Sequence, residues 1–142
     1  MPTVFDAAQY ILQKQGEMTA MKLQKLIYYA QAWSLVWDET PLFDEPIQAW
    51  ANGPVCPPLY FTHKGQFKIA KLETGNAEVF NENQIATMDA ILEVYAKMSS
   101  QQLSDLTHAE GPWKNARIGL SDGDRGEKVI SHLSMHEYYS GL

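Results

Sequence analysis

The chain has a single cysteine, Cys56. One thiol excludes an internal disulfide and any metal framework built on cysteines. No apolar run approaches the roughly 20 residues that a membrane helix needs. The opening, MPTVFDAAQYILQKQ, carries an acid early and no basic start before an apolar block, so it does not read as a signal peptide. These absences make a cytoplasmic protein the expectation, with no membrane partner. Positive charge is scarce, with 11 Lys and Arg against 17 Asp and Glu and a formal net charge of −6. Phosphate contacts need clustered Lys and Arg, so the composition argues against a dedicated nucleic-acid binder. There is no serine nucleophile elbow, no phosphate loop and no paired-acid motif. The sequence therefore gives no catalytic residue, calls for no cofactor, and reads as a non-enzyme.

What the chain does have is concentrated in Met21–Tyr60, which holds three of the four tryptophans, Trp33, Trp37 and Trp50. Thr19 reads as an N-cap for a helix over about 20–37. Apolar residues cover nearly every face of it, broken only by Lys22, Gln24, Lys25, Gln31 and Ser34. A helix apolar nearly all round is a central helix wrapped by its neighbours. Lys22 and Lys25 sit in its first half, where the macrodipole disfavours cations. That placement points either to solvated lysines or to an acidic partner, internal or external.

Around this element the rest reads as cover. Thr3 caps a helix over 4–15, with Gly16 as its stop. Asp38–Pro41 is a turn, Leu42-Phe43 and Ile47–Ala51 are extended, and Asn52-Gly53-Pro54 is a sharp corner. Pro57 and Pro58 suit the first turn of a short helix over 57–63. Phe67, Ile69 and Leu72 alternate as in a half-buried strand, with 78–80 as a possible return. Asn81 with Gln84 starts a helix over 82–98, and Ser100 caps another over 101–108. Gly111-Pro112 breaks the chain, 119–128 is an exposed loop, and Ser134 caps a last helix over 135–139. The expected fold is mainly α, one compact domain over 1–142 around a buried central helix. A small β-hairpin or extended pair drawn from 42–51 and 66–80 completes it.

His132 and His136 stand four apart, the spacing of two zinc ligands on one helix. The glutamate of a metalloprotease motif is replaced by Leu133, and a cap at Ser134 would leave His132 outside the helix. His108 reads as a helix-end residue favoured by the dipole. Cys56 occupies an N-cap position, but Pro57 and Pro58 remove donors that would hold a thiolate, so it reads as structural. Two charge clusters stand out: the acids Asp38, Glu39, Asp44 and Glu45, and the bases Lys64, Lys68 and Lys71. Tyr28, Tyr29, Trp33, Trp50 and Tyr60 read mostly as core, with any exposed ring a good protein-binding anchor.

Met21–Gln31 (MKLQKLIYYAQ), Pro41-Leu42-Phe43, Ile47–Trp50, Asn52–Val55 and Leu59-Tyr60 follow one another in an order that resembles the Panacea domain of SocA-like, phage-associated proteins. Leu106-Thr107-His108, Pro112-Trp113, Ala116-Arg117, Ile130-Ser131 and Met135–Tyr139 continue the resemblance over nearly the whole chain. The resemblance implies a mainly helical antitoxin that neutralises a protein toxin encoded nearby by direct binding. In one branch it implies a proteolytic adaptor that delivers the toxin to an ATP-dependent protease. It also implies, in some members, an appended helix-turn-helix domain, for which these 142 residues leave no room.

The surface expected to bind the toxin comprises Lys22, Lys25 and Tyr29 on the central helix with Trp50, Asn52, Gly53 and Val55 at the corner. Gly53 and Trp50 each have a structural reading as well, as a backbone requirement before Pro54 and as core. Two other classes stand against the antitoxin. One is a phage or mobile-element structural or interaction protein, which would assemble with itself. The other is a metal-dependent hydrolase using His132 and His136.

Overall fold

The computed structural model describes residues 1–142. Seven helices and four short strands follow in the order α1 (Val4–Gln15), β1 (Met18–Thr19), α2 (Ala20–Trp37), β2 (Gln48–Trp50), β3 (Gly53–Val55), α3 (Pro57–His63), β4 (Lys68–Ile69), α4 (Glu82–Tyr95), α5 (Ser100–Ala109), α6 (Gly111–Ala116) and α7 (His132–Ser140). The fold is mainly α around α2, as the sequence implies. Thirteen of the eighteen residues of α2 are buried, and α1, α4, α5, α7 and β3 all pack on it. One apolar cluster runs from Val4 in α1 to Tyr139 in α7.

The polar residues of α2 explain how a helix can sit inside a core. Gln31 Oε1 accepts from the Leu42 amide at 2.7 Å and its Nε2 donates to Phe43 O at 2.8 Å. Gln24 Oε1 accepts from the Cys56 amide at 2.9 Å, and its Nε2 donates to His63 Nε2 at 2.9 Å. Ser34 Oγ donates to Thr40 O at 2.8 Å. Each is a buried side chain serving backbone or side-chain groups that have no regular ladder, which is what burial of a polar group demands. The apparent breaks in the apolar pattern therefore pin the irregular segment 40–43 and Cys56 to the central helix.

Helix ends follow local chemistry. Thr3–Asp6, Asn81–Gln84 and Ser99–Gln102 each form a reciprocal capping box. Four boundaries differ from the sequence reading. Helix α4 ends at Tyr95, with Ala96 as its cap, and α5 is capped by Ser99. Pro112 does not break the chain but sits in the first turn of α6, where its missing N–H costs nothing. Ser131, not Ser134, caps α7, because its Oγ accepts from the Ser134 amide at 3.1 Å, so His132 is the first residue inside the helix.

The strands also pair differently from the expected partners. Strands β2 and β3 form a hairpin with Trp50 opposite Gly53, and Leu42-Phe43 stays outside any strand. Strand β4 pairs antiparallel with β1, Met18 opposite Ile69, and residues 78–80 make no strand. No helix is long and apolar enough to cross a membrane.

Candidate interaction surface at the β2–β3 hairpin

The hairpin is held from below by α2 and from the side by α5 and α6. Gly53 has φ +124, a conformation that side chains other than glycine rarely adopt. A Cβ there would also overlap Lys25 Cε and come within 3.3 Å of Thr107 Oγ1. Ser104 Oγ donates to Asn52 O at 3.1 Å, and Trp113 Nε1 donates to Trp50 O at 2.8 Å. His108 stacks on Trp113 with ring centroids 4.0 Å apart. Burial first, and then the charge of Lys25, lower its pKa, which disfavours the cation that its place at a helix end suggests. Its Nε2 is buried without a partner.

Arg117 closes the other side. It is buried without a carboxylate partner, lies 5.0 Å over the Trp113 ring, and donates through Nη1 to Ala49 O at 3.1 Å. Through Nη2 it donates to the carbonyls of Ser121 and Asp124 at 3.1 and 2.6 Å. One guanidinium, with its fan of fixed donors, thus ties the hairpin to the 119–128 loop. The bridge continues where the Ala49 amide donates to Lys128 O and the Ile130 amide to Ile47 O.

The hairpin, α3 and the 119–128 loop form a cleft of about 550 Å³ lined by Trp50, Asn52, Tyr60, Phe61 and Arg125 among others. Trp50 packs edge-on against Tyr60 at 4.9 Å, and its Nε1 is satisfied by Gln48 Oε1 at 2.8 Å. A second cleft of about 420 Å³ shares Met21, Tyr60 and Lys64 and extends the surface to Phe67. Phe61 and Phe67 are 67% and 77% exposed, so this is an aromatic surface open to a partner.

The structure divides the residues expected at the binding surface. Asn52 is exposed and Trp50 half-buried, and both line the larger cleft. Lys25, Tyr29, Gly53 and Val55 are buried and sit behind the hairpin or in the core. Lys25 is only 1% exposed, and burial lowers its pKa to about 8. Lys22 is half-buried and donates to Ala96 O at 2.7 Å, the carbonyl at the C-terminal end of α4. A helix C-terminus carries partial negative charge, so the cation that is misplaced on its own helix is well placed on its neighbour. Neither lysine pairs with an acid; the ion pairs are Lys97–Glu93 and Arg125–Glu127.

Tyr29 belongs instead to a buried network that the sequence did not reveal. Its hydroxyl donates to Glu110 Oε1 at 2.6 Å, as does that of Tyr139 at 2.8 Å, and Tyr28 donates to Tyr139 at 2.9 Å. Burial raises the Glu110 pKa, and the two tyrosine donors oppose that rise. The sequence signal was faint: Glu110 follows a helical stretch and precedes Gly-Pro, a place usually given to solvent. Phe61 and Phe67 were also missed as surface residues; the alternation of Phe67 with Ile69 and Leu72 reads as the covered face of a half-buried strand, but Phe67 lies outside β4 and is exposed.

The remaining candidates separate cleanly. Cys56 is buried, makes no cap hydrogen bond through its side chain, and has its thiol pushed up to about 12 by burial, which disfavours a nucleophile. His132 and His136 share α7, and no group of three or more His, Cys, Asp or Glu side chains gathers anywhere on the chain. No ion pair joins the two charge clusters. Glu45 Oε1 accepts from the Val4 amide at the start of α1, and Asp38 Oδ2 accepts from Thr87 Oγ1.

No curated protein and no solved structure matches the chain. Residues 23–114, from the first turn of α2 through Lys114 of α6, match the family model described as Antitoxin SocA-like, Panacea domain. That span contains most of the central helix, the hairpin and the rings Trp50, Tyr60, Phe61 and Phe67, and on this match the chain belongs to the SocA-like Panacea-domain antitoxin family.

Proposed function

We infer that this protein is an antitoxin that neutralises a protein toxin encoded beside it by binding the toxin directly, with the surface around the β2–β3 hairpin as the contact. The observation that carries the reading is the coincidence of the antitoxin-family span with an open aromatic surface built on a rigid frame. Trp50 and Asn52 make the contact. Lys25, Gly53 and Val55 act from behind by fixing the shape of the hairpin, and Lys22 fixes α2 against the end of α4. Aromatic side chains on a rigid support bind partners at low entropic cost, as binding anchors do. Delivery of the toxin to an ATP-dependent protease is a further step compatible with this reading. The chain acts without turnover and in the cytoplasm as one domain. The experiment is co-expression with the adjoining reading frame. An antitoxin restores growth and co-purifies with the toxin. Failure of both, with assembly of the chain on itself, would favour a structural protein of a mobile element.

A further inference from the structure

The aromatic surface carries a charge pattern opposite to that of the whole chain. Lys64 lines both clefts, and Lys68 pairs across the β1–β4 ladder with Thr19, which lines the second cleft. Both lysines are exposed, and neither has an acidic partner. Arg125 lines the larger cleft with Glu127, and those two already neutralise each other at 2.9 Å. A chain of net charge −6 thus places one unpaired cation, Lys64, in both clefts beside Tyr60, with Phe61 in one and Phe67 in the other, and a second, Lys68, directly after Phe67 in the chain.

Unpaired lysines beside exposed rings are matched by a ligand with apolar side chains between carboxylates. The rings bury the apolar part and the ammonium groups meet the charges, which favours the right partner and speeds its encounter. We propose that the two clefts take a segment of the toxin in which apolar side chains are flanked by Asp or Glu, with Phe61 and Phe67 as anchors and Lys64 and Lys68 as the charge-reading pair. This rests on the antitoxin reading of the preceding subsection. A second copy of this chain is the competing occupant, since Trp37 is half exposed beside Asp38 and Glu39.

The test is titration calorimetry of the purified product of the adjoining reading frame into the wild-type chain, into Lys64→Glu/Lys68→Glu and into Phe61→Ser/Phe67→Ser, at low and high salt. Circular dichroism reports the fold of each variant. Each variant is expected to bind at least about tenfold more weakly, and the lysine variant to lose most of the salt dependence of the wild type. Should charge reversal disturb the fold, Lys64→Gln/Lys68→Gln gives the same readout with a smaller loss. Folded variants that bind within about twofold of the wild type overturn the proposal and leave the antitoxin acting through another face. A wild-type chain that binds nothing removes the antitoxin reading itself. Self-association, measured by sedimentation and abolished by the same lysine changes, overturns the proposal in favour of a second copy.

Discussion

The aliphatic end of Lys25 lies directly under Gly53, filling the space that a side chain at Gly53 would need. The corner is thus restricted twice, once by φ +124 and once by the lysine. Gly53→Ala is expected to cost about 2–3 kcal/mol in urea unfolding. Lys25→Ala in the same chain should recover the part due to overlap but not the part due to φ. The double variant is then less destabilised than the sum of the single changes, a coupling that a double-mutant cycle reads directly.

Lys25 also sets a pH dependence. Its pKa is lowered by burial from 10.5 to about 8, so the folded chain binds its proton less well than the unfolded chain does. The sign follows: this contribution to stability is complete above the unfolded value near 10.5 and is lost as pH falls through about 8. The wild type should gain stability, on the order of 3 kcal/mol from this group, between those two pH values. Lys25→Met keeps the aliphatic volume and removes the charge. It should be more stable than the wild type at neutral pH and lack that alkaline gain in denaturant titrations.

Glu110 has the opposite sense. Its folded pKa is raised, mainly by burial, so its contribution to stability is complete below the unfolded carboxyl value and is lost as pH rises through the folded one. Glu110→Gln keeps an acceptor for Tyr29 and Tyr139 without the buried charge. Relative to the wild type, this variant should improve steadily from acidic to neutral pH. Glu110→Ala leaves both hydroxyls without their acceptor and should cost about 2–3 kcal/mol. Melting curves across pH distinguish the two variants.

Gln31 offers a test of the frame far from the hairpin. Gln31→Leu preserves helix propensity but leaves the Leu42 and Phe43 amides and the Phe43 carbonyl without their partner. A loss above about 2 kcal/mol is expected. Hydrogen exchange should show the new opening at residues 42–43 and not in α1.

The helices were legible wherever a cap and a period coincided, as at Thr3, Thr19 and Asn81. The start of α7 misled because Ser134 and Glu137 have capping-box spacing. Ser131 takes the cap instead, directly after the buried Ile130. Gly111-Pro112 reads as a break until Pro112 is allowed its first-turn place, as Pro57 and Pro58 were. The pairing of β1 with β4 joins two-residue strands some fifty positions apart, too short for any period to show. Trp50 and Asn52 were found at the surface because the corner itself was legible. Lys25 was misplaced because lysine is rarely buried. The available signal was its position on a helix with no polar face to spare. Arg117 serves only backbone carbonyls, and that leaves no pattern in side-chain identity.

The account rests on direct binding, and calorimetry with purified proteins tests it without the cell. The chain is titrated with the product of the adjoining reading frame. The account predicts saturable binding with a dissociation constant at or below about a micromolar, weakened by Trp50→Ala in a chain that remains folded. Rescue of growth in cells with no measurable binding between the two purified proteins would contradict it.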